Sequence, residues 1–340
     1  MRNAFLFLTL FAFLFFSVQE AYTAEKKSGT VTFSVDLKTK PDAKTALVYL
    51  PYPLSDNYQD ITDMQVSGNF SEQGVYRDPK SGSFYLKASW KSLSEKPSLT
   101  MRFHVDSKYT KGKALPDGDS VIPVDVRSKL LANDYLPVTH PEVVRCAKEA
   151  TANAKTMRDK AYGVYLWTID HTFRDPDVRG CGLGEAIKTL TEAHGGGKCA
   201  DISSVFITVA RAAGIPARDV YGLRIKGTNG AITGDFHCWA EFYLPGHGWV
   251  MADPADVRKA MLVEKLAEKS PKAQEYTKFF WNGDNLFRIA LNRGEHGVAF
   301  PGMKGEPVGY FMYPYAEVDG KALDYFAPSD FAFSVHFTAD

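Results

Sequence analysis

The feature that most constrains this chain is a run of three glycines, at residues 195–197, that leads into a cysteine. After Lys198 and Cys199, apolar residues recur at helical spacing from 202 to 213, and Gly-Ile-Pro at 214–216 marks the helix end. Glycines allow backbone angles and close approaches that other residues avoid. We therefore predict Cys199 at a helix N-terminus, where backbone N–H groups stabilise a thiolate and can bind an oxyanion.

A histidine and an aspartate follow this cysteine in the order of a thiol nucleophile, its base and the carboxylate that orients the base. His237 lies within Phe-His-Cys-Trp-Ala-Glu-Phe-Tyr, which begins at residue 236. Asp253 lies within Gly-Trp-Val-Met-Ala-Asp-Pro, which begins at residue 248. Cys199, His237 and Asp253 are therefore the candidate catalytic residues.

Hairpin geometry predicts how the histidine and the aspartate meet. Residues 236–244 and 249–253 are expected to form two antiparallel strands, with a turn centred on residue 245 that places His237 opposite Asp253. Because side chains alternate along a strand, Cys238 is expected to point to the opposite face from the histidine. This argues against Cys238 as the nucleophile.

Together these motifs resemble the transglutaminase-like superfamily of papain-like thiol enzymes, and in particular its secreted bacterial members. Three further motifs share the resemblance: Val-Arg-Gly-Cys-Gly-Leu-Gly-Glu from 178, Ala-Arg-Ala-Ala-Gly-Ile-Pro-Ala-Arg from 210, and Tyr-Pro-Tyr-Ala-Glu-Val-Asp-Gly from 313. The resemblance covers about residues 135–325. It implies that Cys199 is the nucleophile, His237 the base and Asp253 the orienting residue.

Other residues near these motifs have two interpretations each. Trp167 could donate to the oxyanion, but its helical pattern favours the core. Trp239 and Glu241 share a strand face with the histidine and either line a cleft or pack in the interior. His194 lies in the loop before the glycines, which argues against it as the base. Asp201, in the first helical turn, is interpreted as structural.

No cofactor or metal is expected, because the spacing of the His, Cys, Asp and Glu residues matches no metal site. A zinc site would have to be assembled from residues distant in the sequence. Of the cysteines other than the nucleophile, Cys181 and Cys238 both belong to motifs expected around the active site. They are the preferred disulfide pair, and the alternative is that Cys146, Cys181 and Cys238 are all buried thiols.

The patterns predict an α+β fold with an N-terminal β-sandwich. The resemblance implies that a transglutaminase-like (papain-like) catalytic domain follows, with its helix-borne cysteine packed on an antiparallel sheet. Short alternating strands between residues 29 and 110 indicate the sandwich. Helical patterns follow at 141–173, 183–193 and 257–280, and strands are expected at 286–291, 308–313 and 331–337. The predicted divisions are 1–24 signal peptide, 25–110 β-sandwich, 111–140 linker, 141–262 catalytic core, and 263–340 C-terminal helix and strands completing the catalytic domain.

The N-terminus has the pattern of a secretory signal peptide. Arg2 precedes an apolar run from 4 to 18 that is short for a membrane span, and small and polar residues continue to Ala24. We expect a periplasmic or secreted protein with no stable membrane span after cleavage. The alternative is an uncleaved anchor, because Tyr22 stands where a small residue is preferred.

The balance of positive and negative residues argues against nucleic acid as a partner. The 40 Lys and Arg residues equal the 40 Asp and Glu residues, so there is no basic excess to attract nucleic acid. The expected partners are a peptide or protein substrate and cell-envelope material. The predicted function is that of an exported peptidase or amidase acting through a thioester acyl-enzyme. The alternatives are a protein-crosslinking acyltransferase and a catalytically silent module that binds peptide or cell wall, although such a module has no need of all three candidate residues.

Overall fold

Three antiparallel sheets and a group of helices make up the part of the chain described by the computed structural model, which covers residues 26–79, 82–109, 112, 114–118, 121–282, 287–294 and 296–340. The predicted α+β fold is confirmed. The strands are β1 (Lys26–Leu37), β2 (Ala46–Pro51), β3 (Gln59–Gly68), β4 (Glu72–Arg77), β5 (Phe84–Trp90), β6 (Ser98–Lys108), β7 (Phe173–Arg174), β8 (Gly196–Gly197), β9 (Ala217–Arg224), β10 (Asn229–Ala231), β11 (Phe236–Leu244), β12 (Gly248–Ala252), β13 (Arg288–Asn292), β14 (Tyr315–Val318), β15 (Lys321–Ala322) and β16 (Phe331–Ala339). The helices are α1 (Pro141–Ala150), α2 (Met157–His171), α3 (Ala186–Thr191), α4 (Cys199–Ala212), α5 (Pro254–Val263) and α6 (Pro271–Phe279), with 3-10 turns at Val124–Leu130 and Thr233–Asp235.

The N-terminal strands form a sandwich of two five-stranded sheets, with strand orders β10-β16-β1-β6-β3 and β15-β14-β2-β5-β4. Alternate residues of β1 are buried, as their apolar pattern predicts. Val31 and Phe33 from one sheet pack with Leu50 and Leu86 from the other in a common core. Hydrophobic burial between the sheets therefore holds this part of the protein together.

The C-terminal strands belong to the sandwich, which corrects the assignment of all of 263–340 to the catalytic domain. β16 pairs antiparallel with β1, and β14 pairs antiparallel with β2. The predicted strand at 308–313 is also wrong, because only an isolated bridge from Val308 to Val298 forms there. Without β16 and β14, β1 and β2 would each present an unpaired edge.

The catalytic sheet has the strand order β12-β11-β9-β13, and α4 packs against it. Phe206 of α4 contacts Phe242 of β11, with ring centroids 6.5 Å apart. The helices α1, α2 and α3 surround α4, whose residues are nearly all buried. The helical pattern at 257–280 corresponds to two helices, since the chain turns at Lys265 with a φ of 53°.

The glycine run forms a short strand that fixes the start of α4. β8 pairs in parallel with β7. Gly195 has a φ of +90°, and a Cβ there would lie 2.3 Å from the carbonyl oxygen of His171. Only glycine fits this position, so the loop delivers Cys199 to the helix N-terminus in a defined place.

The described residues contain no helix that is long and apolar enough to cross a membrane. The predicted signal peptide at 1–24 lies outside the described residues.

We expect Phe337→Ala to lower the free energy of unfolding by about 3–5 kcal/mol, because the side chain is buried in the sandwich core and its loss leaves a cavity. Thr338→Ala on the same strand is the control, since this exposed side chain should change stability by no more than about 0.5 kcal/mol. Urea unfolding of both variants measures the difference. Equal effects would show that β16 contributes no core to the sandwich.

Candidate active site

The structure brings the three predicted catalytic residues together. Cys199 is the first residue of α4, His237 lies in β11, and Asp253 is the N-cap of α5. His237 Nε2 lies 2.7 Å from Asp253 Oδ2, and both side chains are buried. The other ring nitrogen, Nδ1, is buried without a conventional hydrogen-bond partner among the described residues. The imidazole lowers the pKa of Cys199, as described below, so the nucleophile, base and carboxylate form one chain of interactions.

The His237–Asp253 contact forms by a different geometry from the predicted one. Ala240 pairs with Ala252, so the hairpin is centred on residue 246 and a continued β12 would place Asp253 opposite Trp239. Asp253 instead leaves the strand and caps α5, with Oδ1 accepting a hydrogen bond from the backbone N–H of Asp256 at 2.9 Å. The helix cap turns the carboxylate toward the histidine.

A compact charge cluster surrounds the carboxylate. Arg288, a buried residue of β13, lies 2.7 Å from Asp253 Oδ2 and 3.0 Å from Asp256 Oδ2. Arg224 pairs with Asp256 from the other side. Burial alone would raise the pKa of Asp256, but Arg224, His237 and Arg288 hold it well below its ordinary value. Two arginines therefore balance two carboxylates, as burial of charge requires.

Two further cysteines lie beside the nucleophile. The sulfurs of Cys181, Cys199 and Cys238 all lie within 4.8 Å of one another. Hydrogen bonds from Cys181 and then Cys238 lower the pKa of Cys199 well below its ordinary value, against the effect of burial, and His237 lowers it further by hydrogen bonding and charge. The pKa of Cys181 is raised chiefly by its hydrogen bond to Cys199, and that of Cys238 chiefly by burial. Of these three cysteines, only Cys199 lies at a helix N-terminus, where backbone N–H groups favour its thiolate.

This arrangement refines one expectation and corrects another. Cys238 packs on the opposite face of β11 from Trp239, in agreement with the expected alternation, but α4 packs on that face and brings the sulfurs of Cys238 and Cys199 together. The preferred disulfide between Cys181 and Cys238 is not formed, and all four cysteines of the chain, including Cys146, are buried thiols. Cys181 and Cys238 share one interior space with the nucleophile.

Asp201 ties the loop that carries Cys181 to α4. Its Oδ1 accepts hydrogen bonds from the backbone N–H groups of Leu183 and Gly184, at 2.8 and 2.9 Å, and its Oδ2 accepts one from Lys198 N at 2.9 Å. The N–H of Ala200 in turn donates to the carbonyl oxygen of Cys181 at 2.9 Å, so it is not free for an oxyanion. The structural interpretation of Asp201 is confirmed.

The thiols lie under aromatic side chains from the segment that precedes β14. Tyr313 Oη donates to Cys181 Sγ at 3.1 Å, and Tyr310 Oη donates to the carbonyl oxygen of Gly182 at 2.8 Å. Cys199 is only 2% exposed. The described conformation is therefore closed, and a substrate can reach the sulfur only if part of this cover moves.

Comparison with known proteins identifies the family. Residues 144–254 match the model of the transglutaminase-like superfamily. An uncharacterized protein of Haemophilus influenzae is 31% identical over 329 residues, a match that covers 89% of each chain. The chain belongs to the transglutaminase-like superfamily.

A solved structure shows the same fold. A candidate cysteine protease from Cytophaga hutchinsonii matches with a TM-score of 0.55 and 15% identity, over 93% of this chain and 99% of that chain. The periplasmic domain of TgpA from Pseudomonas aeruginosa matches with a TM-score of 0.35 and 15% identity, over 76% of this chain and 95% of that chain. At this identity the Cytophaga likeness shows the fold alone, and the argument for function comes from the site.

Contacts in the transglutaminase-like domain decide between the two interpretations given above for Trp167 and Trp239. Trp167 packs in the helical core and stacks on His171, with ring centroids 4.2 Å apart. Trp239 is buried, and the Arg288 guanidinium lies 5.1 Å from its ring centroid. Trp239 therefore covers the charge cluster, and Trp167 is a core residue as its helical pattern favoured.

Glu241 belongs to a separate buried network. It lies 2.7 Å from Arg218 and 3.5 Å from Arg293, and these residues line a cleft of about 660 Å³ with Tyr58 and Trp249. Burial raises the pKa of Glu241, but the two arginines outweigh it and leave the pKa lowered. The residues that line this cleft include neither Cys199 nor His237, so Glu241 lies outside the space around the nucleophile.

Sequence reasoning missed the arginines and a second buried histidine. His296 Nε2 lies 2.8 Å from Asp219 Oδ2, and His296 stacks on Tyr135. Nothing in the local sequence marks Arg224, Arg288 or His296, because each acquires its partner only when distant strands meet. For Asp256 the sequence contains a weak indication, because an acidic residue three positions after the helix-capping Asp253 is typical of a first helical turn.

We expect the alkylation rate of Cys199 to have its pH midpoint well below that of an ordinary thiol, because the thiolate is the reactive form and its pKa is lowered. Cys146 is the internal control, because burial and then Glu142 raise its pKa to about 11. Iodoacetamide labelling across a pH series, followed by peptide mapping, measures both midpoints. His237→Ala should shift the Cys199 midpoint upward. A midpoint shared with Cys146 would contradict the assignment of the thiolate.

We expect Arg288→Met to lower the free energy of unfolding by about 3–5 kcal/mol, because it removes one of the two arginines paired with the buried carboxylates of Asp253 and Asp256 and leaves buried negative charge uncompensated. Lys226→Met is the control, since its ion pair with Asp235 is on the surface and should contribute no more than about 1 kcal/mol. Urea unfolding measures both. If the two variants lose the same stability, the buried arginine does not hold the cluster together.

Proposed function

We propose that the protein is a cysteine hydrolase of peptide or amide bonds that acts through Cys199, His237 and Asp253. The observation that supports this most directly is the 2.7 Å contact between His237 Nε2 and Asp253 Oδ2, beside a thiol whose pKa is lowered in part by the same imidazole. Nucleophilic catalysis by a thiol uses a base beside the sulfur and a third group that orients the base.

In the proposed reaction, the Cys199 thiolate attacks the carbonyl carbon of an amide and forms a tetrahedral oxyanion near the N-terminus of α4. His237 Nδ1 then gives its proton to the leaving nitrogen, and the C–N bond breaks to leave a thioester on the sulfur. Water attacks the thioester as the histidine takes one of its protons. The acid leaves, and the thiolate is restored. Asp253 holds the imidazole orientation throughout, through Nε2.

The charge balance supports a thiolate–imidazolium resting pair. Arg224 and Arg288 already offset Asp253 and Asp256. An added pair of one thiolate and one imidazolium brings no net charge into the interior, whereas either ion alone would cost several kcal/mol. The same argument counts against the silent binding module, because a binding protein gains nothing from a buried reactive ion pair.

Hydrolysis is preferred over acyl transfer to an amine. The aromatic cover leaves Cys199 2% exposed, and water reaches a thioester through a smaller opening than an amine-bearing protein side chain requires. The candidate cysteine protease from Cytophaga hutchinsonii has the same fold, which agrees with this preference. The crosslinking transferase is the second candidate.

Export is part of the proposal. The apolar run at 4–18 and the small residues up to Ala24 support a cleaved leader, which would place the enzyme in the periplasm or outside the cell. Peptides or peptide-containing cell-envelope material are then the proposed substrates.

We expect casein incubated with the protein and a fluorescent primary amine to yield more free acid than amine adduct, because water resolves the thioester faster. Mass spectrometry of one reaction quantifies both products. Cys199→Ala and His237→Ala should each reduce turnover by about 1,000-fold or more, since loss of a triad member leaves only the binding and oxyanion contributions.

Lys226→Met serves as the control for handling and expression, because its ion pair with Asp235 lies on the surface. Full turnover by Cys199→Ala would overturn the proposed mechanism. Predominant amine adduct would make the transferase the better assignment.

A further inference from the structure

The three clustered thiols form a feature that hydrolysis does not require. They come from three separate elements: Cys181 from the loop before α3, Cys199 from α4 and Cys238 from β11. Their exposed fractions are 5%, 2% and 0%. One thiolate suffices as a nucleophile, so two additional sulfurs at van der Waals range suggest a second chemical capacity at the same place.

The spacing of the sulfurs suits a soft divalent cation. In a tetrahedral zinc site the Zn–S bonds of about 2.3 Å put neighbouring sulfurs about 3.8 Å apart. Here all three sulfurs lie within 4.8 Å of one another, so only small side-chain movements are needed to surround one ion. Three cysteines and one histidine make up a common donor set for zinc.

His237 is suited to be the fourth ligand. Its Nδ1 is buried and lacks a conventional hydrogen-bond partner among the described residues, and the ring is near enough to lower the pKa of Cys199. The ring is not part of the group of three sulfurs that lie within 4.8 Å of one another, so it has to move toward them when the ion binds. Its Nε2 is held by Asp253 at 2.7 Å. A histidine that binds zinc through one nitrogen and a carboxylate through the other is the usual arrangement, because the carboxylate fixes the ring and strengthens the ligand.

We propose that Cys181, Cys199, Cys238 and His237 bind one Zn²⁺ ion, and that the zinc-bound protein is inactive. Binding forms three Zn–S bonds and one Zn–N bond. The protons of Cys181, Cys238 and His237 Nδ1 leave to solvent, while Cys199 enters as its thiolate. No oxidant is consumed. The ion occupies the sulfur that would attack the substrate and the nitrogen that would move the proton, so it competes directly with the reaction.

Zinc binding itself does not depend on the reaction, whereas inhibition rests on the proposed function. The experiment therefore measures binding apart from turnover. The full chain is reduced, freed of reductant and titrated with Zn²⁺ in competition with a chromogenic chelator. Titration with Cd²⁺ alone follows the ultraviolet charge-transfer absorption that each cadmium–thiolate bond adds.

One Zn²⁺ should bind per chain, and Cd²⁺ should give the absorption of three thiolates. Cys181→Ser and Cys238→Ser should each weaken zinc affinity by about 100-fold or more. Even the loss of a residue that only orients a metal ligand lowers metal affinity by up to that factor. Cys146→Ser is the matched control, because Cys146 is equally buried but lies in α1, outside the cluster. Its zinc affinity should equal that of the wild type. His237→Asn should weaken binding and keep the three-thiolate absorption.

A measurement on the unmodified protein guards against misfolded variants. Zn²⁺ should protect the three clustered cysteines from iodoacetamide and leave the rate at Cys146 unchanged, as seen by peptide mapping. Unchanged zinc affinity in both Cys181→Ser and Cys238→Ser, or protection of Cys199 alone, would overturn the three-thiol site. Unchanged affinity in His237→Asn would overturn the fourth ligand. Zinc binding with these ligands but no turnover by zinc-free protein would leave the site standing and refute the hydrolase.

Discussion

One carboxylate, that of Asp253, holds three parts of the site in place. It bonds His237 on β11, Arg288 on β13 and the first turn of α5. Each contact comes from a different element, so the carboxylate fixes the histidine ring, the end of the catalytic sheet and the start of a helix relative to one another. This is possible because Arg224 and Arg288 are paired with the two buried acids.

The cover over the nucleophile depends on the same chain path that closes the sandwich. After β13 the chain leaves the catalytic sheet, passes over the thiols at Tyr310 and Tyr313, and enters the sandwich as β14. Pairing of β14 with β2 therefore tethers one end of this cover, and pairing of β13 with β9 in the catalytic sheet tethers the other. The N-terminal part of the protein contributes to the site through this connection, although its own strands carry no candidate catalytic residue.

Prediction from the sequence succeeded where the signal is local. Helix α4 is specified by the glycine run before it, by the helical spacing of apolar residues after Cys199 and by the Gly-Ile-Pro sequence that ends it. The strand at 236–244 was predicted with its observed limits. Such elements are encoded within ten to fifteen neighbouring residues, by backbone preferences and side-chain periodicity. The hairpin register was wrong by one residue in its centre, because turn geometry depends on a glycine conformation that the residue types alone do not determine.

By itself, the sequence determined the α+β class, the family and which residues can serve as nucleophile, base and orienting carboxylate, since those depend on residue chemistry and order along the chain. Only the tertiary structure decided that β16 pairs with β1, that Arg288 shares the Asp253 carboxylate, and that Cys181 and Cys238 lie beside Cys199. These are contacts between residues far apart in the chain, and no local preference distinguishes them from many alternatives. They follow from the requirement that strand edges, buried charges and buried thiols find partners once the whole chain has folded.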